Sequence, residues 1–136
     1  MAESLDLEVA VVRYPCLLID TCVLISEFNR PSGLFKKINR PQRRTSIVAL
    51  WEFLHGTRGA LLPSESRSLR RSWLADQGVA AIRLSPGCSR TFETLLQQED
   101  APPTAVDCLL AAECLAQGWP IVTGNVRDFS AVQGLR

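Results

Sequence analysis

Histidine is almost missing: His55 is the only one in 136 residues. It stands beside Gly56 at the expected end of a helix, and Ser46 has no histidine and acid arranged around it, so a Ser–His–acid hydrolase finds no support. Cysteine pairing is missing too. The five cysteines, at 16, 22, 88, 108 and 114, include no CxxC pair, and four of them lie in apolar segments. A zinc cage therefore lacks its spacing, and buried reduced thiols are expected. No apolar run exceeds five residues, with Cys108–Ala112 as an example; crossing a bilayer takes roughly 20. The opening MAESLDLEVAVVR has early acids and no basic stretch leading into an apolar one. No secretory signal is expected, and the cytoplasm is the expected location. Net charge is only +1, which excludes a general polyanion binder, so any grip on nucleic acid has to be local.

With 46% hydrophobic and 21% charged residues, the chain has the make-up of one soluble globular domain that buries its core without staples. No repeat or low-complexity segment is present. Residues 1–14 read as an N-terminal extension, in which alternating Leu5, Leu7, Val9 and Val11 predict an edge strand or a loose lead; residues 15–136 form the domain proper. CLLI at 16–19 predicts a buried strand, followed by a helix from Thr21, read as its N-cap, to Phe28. Strand signals recur at 45–48, 79–84 and 120–123, with helices expected between them, one starting from Ser85-Pro86 and another from Pro102-Pro103-Thr104. Alternation of this kind predicts a layered α/β domain with a central, mainly parallel sheet of four to five strands. Ligands of such sheets gather at the carboxyl ends of the strands, near the topological switch point.

Four acids stand at such points. Asp20 follows the first strand, Glu52 lies in the first turns of a helix, Asp107 shares a helix face with Leu110, Ala111 and Cys114, and Asp128 sits in the TGNVRDF loop. Each has a plain explanation of its own. Asp20 closes a turn, Glu52 is a half-exposed helix residue, Asp107 completes a TAVD capping box after Thr104, and Asp128 caps a last helix. Taken together they recur at equivalent structural positions. Several carboxylates held close at low dielectric need a cation to offset their repulsion, and an all-oxygen ligand set suits Mg²⁺ or Mn²⁺.

Three blocks carry a resemblance: LLIDTCVLI around Asp20, SIVALWEFLHG around Glu52, and AVDCLLAAECLAQGWPIVTGNVRDF from Ala105. With these blocks the chain resembles the PIN domains, and most closely the VapC-type ribonuclease toxins, over roughly residues 16–135. The resemblance implies a three-layer α/β/α fold and cleavage of single-stranded RNA regions with one or two Mg²⁺ or Mn²⁺ ions. Asp20 and Asp107 would be the principal metal ligands, with Glu52 completing the acidic site. Asn125 stands where many relatives carry a fourth acid, which leaves Asp128 as the remaining acid of the group. Thr21 and Thr123 match small hydroxyl positions lining such sites. The family also implies a small VapB-type antitoxin partner and a homodimer, for which the apolar faces of the first helices, including Trp51 and Phe35, would serve. Departures from the pattern are Cys22, where asparagine or serine is usual, Ala49 in place of a frequent threonine, and Asn125 itself.

An acidic centre that holds a phosphate chain needs basic surroundings. KKINRPQRR at 36–44 offers Lys36, Lys37, Arg40, Arg43 and Arg44 as RNA contacts, and Arg67, Arg70 and Arg71 form a second group. Solvated helix and loop faces explain both groups equally simply. Glu27, seven residues past Asp20, reads as helix surface. Two rival functions remain at this point. One is a PIN-like module that processes or merely binds RNA; intact Asp20, Glu52 and Asp107 speak against a purely binding role. The other is a phosphoacceptor α/β domain, which a second aspartate in place of Cys22 would have favoured.

Overall fold

The computed structural model describes residues 6–56, 62–97, 104–125 and Phe129. Four strands, β1 (Leu17–Ile19), β2 (Arg43–Ser46), β3 (Ala80–Ile82) and β4 (Ile121–Val122), form one sheet in the order β3-β2-β1-β4. Every pairing is parallel. Among the described residues six helices connect and flank them: α1 (Leu7–Arg13), α2 (Thr21–Asn29), α3 (Ile47–His55), α4 (Ser64–Gln77), α5 (Cys88–Leu96) and α6 (Ala105–Gln117). Two short 3-10 turns, Leu34–Lys37 and Arg40–Gln42, lead into β2.

β1 is buried on both faces, as a central parallel strand must be. Its side chains alternate in direction. Leu18 packs with Leu95 of α5 and with Leu110, Ala111 and Cys114 of α6. Leu17 and Ile19 face the opposite layer, with Ala10 of α1, Leu24 of α2, Phe53 of α3 and Leu74 of α4. The result is helix layers on both sides of the sheet. Leu110, Ala111 and Cys114, three, four and seven residues past Asp107, are buried in the same cluster as Leu18.

Several local expectations change. The lead is a helix, not a strand: Ala10 is its buried residue and Leu7 and Val11, one turn apart, pack beside it. Glu8 in the first turn and Arg13 in the last suit the helix dipole. Gln42 Nε2 donates to the Val11 and Tyr14 carbonyls at 2.7 and 2.8 Å, filling acceptors that a helix end leaves open. α2 is capped by Asp20, not Thr21; its carboxylate accepts from the Thr21 N–H at 2.7 Å. β2 begins at Arg43 and stops at Ser46, because the Ser46 hydroxyl turns to cap α3 through the Val48 N–H. α5 starts at Cys88 and not after Ser85; both donors of Ser85 go instead to the buried Glu113 carboxylate. α4 ends at Gly78 with φ +67°, where an added Cβ would meet the Arg40 guanidinium at 2.7 Å.

Candidate active site

The sheet order places its switch point between β1 and β4. The chain moves from β1 outward to β2 and β3, then returns to lay β4 on the other side of β1. The residues that follow those two strands meet there. Thr123 Oγ1 donates to Asp20 Oδ2 at 2.7 Å, and the Asp20 N–H pairs with the Val122 carbonyl at 3.0 Å. Asp20 is only 3% exposed. Its oxygens accept from the Thr21 N–H, the Thr123 hydroxyl and the Cys22 thiol, the last at 3.3 Å. All three donors are neutral, and no cation pairs with it among the described residues.

Glu52 joins through α2. The Thr21 hydroxyl donates to Glu52 Oε1 at 2.8 Å, so α3 reaches the end of β1 by one side-chain bridge. Asp107 lies half-buried in the first turn of α6, its N–H given to the Thr104 hydroxyl at 3.1 Å. Of the expected TAVD capping box, the Thr104 side-chain cap is present. Asn125 takes part through its backbone: its N–H donates to Thr123 Oγ1 at 2.9 Å. Asp128 lies outside the described residues.

Cys22 is half-buried. Burial pushes its thiol up from the ordinary value; the Gly124 N–H, 3.4 Å from sulfur, works against this, and the Asp20 charge adds to it. The thiol is thus a protonated donor at neutral pH, not a thiolate. The fully buried Cys114 thiol is pushed well up too, first by burial, then by Glu113 and then by Asp20. None of the five cysteines is in a disulfide, and 88, 108 and 114 are buried.

The donor chemistry is oxygen only, which fits Mg²⁺ or Mn²⁺. Asp20 carries that fit: its carboxylate is buried and has no cationic partner among the described residues. Among the described residues no three His, Cys, Asp or Glu side chains gather into a metal-ligating group.

The basic segment divides on inspection. Arg43 is not on the surface: it is 8% exposed, and its guanidinium donates to the Ile38 carbonyl at 3.0 Å and to the Gln77 and Phe35 carbonyls, while lying over the Phe35 ring. Burial lowers its pKa, with Arg40 adding to the effect. It is a cross-brace, not an RNA contact. Arg40 is exposed yet donates to the Asp76 carbonyl at 2.8 Å, and Arg44 donates to the Arg43 carbonyl at 3.1 Å. Lys36 and Lys37 are exposed. Arg70, from the second group, lies over Phe28 and Phe53 and donates to the Phe53 carbonyl at 2.7 Å. Phe35 is buried, so it cannot line a dimer face as expected, whereas Trp51 is 56% exposed and stacks on His55. Glu27 is also buried, accepting from Ser32 N at 3.0 Å.

Residues 17–135 match the family model of the PIN domain. The chain belongs to the PIN domain family. No curated protein matches it at the level of sequence. Among solved structures, the DNA-bound VapBC of Salmonella typhimurium shares the PIN fold with a TM-score of 0.75 at 18% identity, over 90% of this chain and 96% of that one. A toxin–antitoxin complex from Klebsiella pneumoniae matches with a TM-score of 0.67 at 20% identity, over 88% and 95%. VapBC2 from Rickettsia felis, bound to a DNA fragment from its promoter, matches with 0.66 at 18%, again over 88% and 95%. Identities this low bear on the PIN fold alone.

Two features escaped the sequence. The backbone N–H groups of Gly124 and Asn125 feed the Asp20 cluster, and nothing in residue type marks a backbone donor. Glu113 is fully buried and holds Ser85 and Gln117; its only signal was an acid inside an otherwise apolar helix.

Proposed function

We propose that this protein is a divalent-metal-dependent endoribonuclease, the toxin of a toxin–antitoxin pair. The observation that carries the reading is Asp20: a buried carboxylate at the switch point of a PIN sheet, bonded among the described residues by neutral donors only. Asp20 would hold the ion, with Asp107 and Glu52 as the further ligands. A bound Mg²⁺ or Mn²⁺ supplies an acidified water and charge stabilisation at phosphorus. The chain's own residues do the rest. Thr123 and the α2 N-terminus orient Asp20, and Thr21 orients Glu52. Glu52, half-buried beside the centre, is the group placed to accept the proton of an attacking water. The products would carry 5′-phosphate and 3′-hydroxyl ends.

The toxin assignment rests on the company the fold keeps: the similar structures named above are toxin–antitoxin complexes. On this reading a VapB-type antitoxin lays its tail across the acidic centre, the toxin forms a homodimer, and exposed Lys36 and Lys37 track the RNA backbone. The deciding experiment maps RNA 5′ ends in cells expressing wild type or Asp20→Ala. New ends confined to the wild type support the nuclease; identical maps defeat it.

A further inference from the structure

The environment of Asp20 contains two short hydrogen-bond relays. The Asn125 N–H donates to Thr123 Oγ1 at 2.9 Å, and Thr123 Oγ1 donates to Asp20 Oδ2 at 2.7 Å. The Gly124 N–H donates to Cys22 Sγ at 3.4 Å, and Cys22 Sγ donates to the same Oδ2 at 3.3 Å. Each side chain has a single proton to give. Both relays therefore start on consecutive backbone amides after β4 and end on one carboxylate oxygen. Cys22 and Thr123 also touch at 3.7 Å, but a proton turned into that contact would take a bond from Oδ2.

We propose that Cys22 and Thr123 are positioning residues that jointly saturate Oδ2 of Asp20 and leave Oδ1 as the oxygen offered to a divalent cation. Among the described residues Oδ1 accepts a single bond, from the Thr21 N–H, which leaves it a lone pair. Oδ2 has two donors and none to spare. The Cys22 thiol reaches both the carboxylate and the loop after β4. The inference rests on the metal-dependent reading above and assigns how the ion's main ligand is held.

The test is calorimetric titration of the full-length protein with Mn²⁺, under reducing conditions and without RNA. Cys22→Ala and Thr123→Val are expected to weaken Mn²⁺ binding by about 10-fold or more, the usual order for loss of a partner behind a metal ligand. Cys22→Ser and Thr123→Ser, which keep a donor and an acceptor, are expected within a few-fold of wild type. The metal-free thermal midpoints of the Cys22 pair separate this from general damage, since a purely structural role moves the midpoint and leaves affinity alone. Wild-type affinity in Cys22→Ala, or equal weakening in Cys22→Ser and Cys22→Ala, overturns the positioning role while the nuclease reading stands. Absence of Mn²⁺ uptake by the wild type, matching an Asp20→Asn control, overturns the reading beneath it as well.

Discussion

Asp20 has two separable jobs, capping α2 and presenting a charge, and substitutions can divide them. Asparagine is as good an N-cap as aspartate, whereas alanine forfeits about 1 kcal/mol. Asp20→Asn is therefore expected to keep the cap and the fold, and Asp20→Ala to lose about 1 kcal/mol for the cap plus the cost of leaving the Thr123 hydroxyl without its acceptor, both read in urea unfolding. Both should abolish Mg²⁺-dependent RNA cleavage. Cleavage retained by purified Asp20→Asn would remove the residue from the chemistry. The buried thiols make a second prediction. Cys88 is pushed up to about 12 from an ordinary 9.0, by burial first and then by Glu113, and Cys108 and Cys114 are raised in the same direction. Raised values mean that the folded chain holds protons the unfolded chain releases above about 9, so stability is full below that pH and falls as pH rises toward 12. Reduced protein should show a declining urea midpoint over that window, and Cys88→Ala a shallower decline. Asp20 was readable because an acid directly after a buried strand has few ordinary explanations. Glu113 and Glu27 were not, since single acids in helices carry no sign of which way they point.

Composition could count the charges of KKINRPQRR but not aim them. β2 begins inside this segment, and strand alternation sends the Arg43 side chain inward while Lys36 and Lys37 stay on a surface turn. Arg43→Met would leave three carbonyls, of Phe35, Ile38 and Gln77, without their shared donor. The Phe35 carbonyl keeps the Ile38 N–H, so at about 1–3 kcal/mol for each of the other two groups, relieved in part by local relaxation, a loss of about 3 kcal/mol is expected. Denaturant unfolding measures it; a near-neutral result would show that the brace is dispensable. Lys36→Glu with Lys37→Glu should instead preserve stability and lower RNA affinity, with a flatter dependence on salt. An unchanged slope would take these lysines out of the interface. The lead segment teaches the converse lesson. Its alternating apolar residues satisfy a two-residue period, but capping charges and the Gln42 amide that closes α1 belong to the helix, and only the latter depends on a distant residue.

The parallel α/β architecture followed from alternating segments, while the order β3-β2-β1-β4 did not, because pairing partners are chosen by packing across long stretches of chain. That order brings Asp20 to Thr123 and through Thr21 to Glu52. Asp128 was named from its loop and lies outside the described residues. If a cation binds this centre only in the folded chain, it must also stabilise the whole domain. Saturating Mn²⁺ at 100 times its dissociation constant corresponds to about 2.7 kcal/mol, a clear upward shift in thermal midpoint. The shift should vanish with EDTA and in Asp20→Asn; a wild type indifferent to Mn²⁺ would argue against a metal at this site.

The Thr123–Asp20 bond joins residues 103 positions apart. A ribosome adds about 5–20 residues per second, so Asp20 waits roughly 5–20 s after its own synthesis before the segment that anchors its carboxylate even exists. Until β4 slots in beside β1, the nascent chain carries the acids without their alignment. On the proposed reading, nuclease activity therefore waits until β4 docks beside β1.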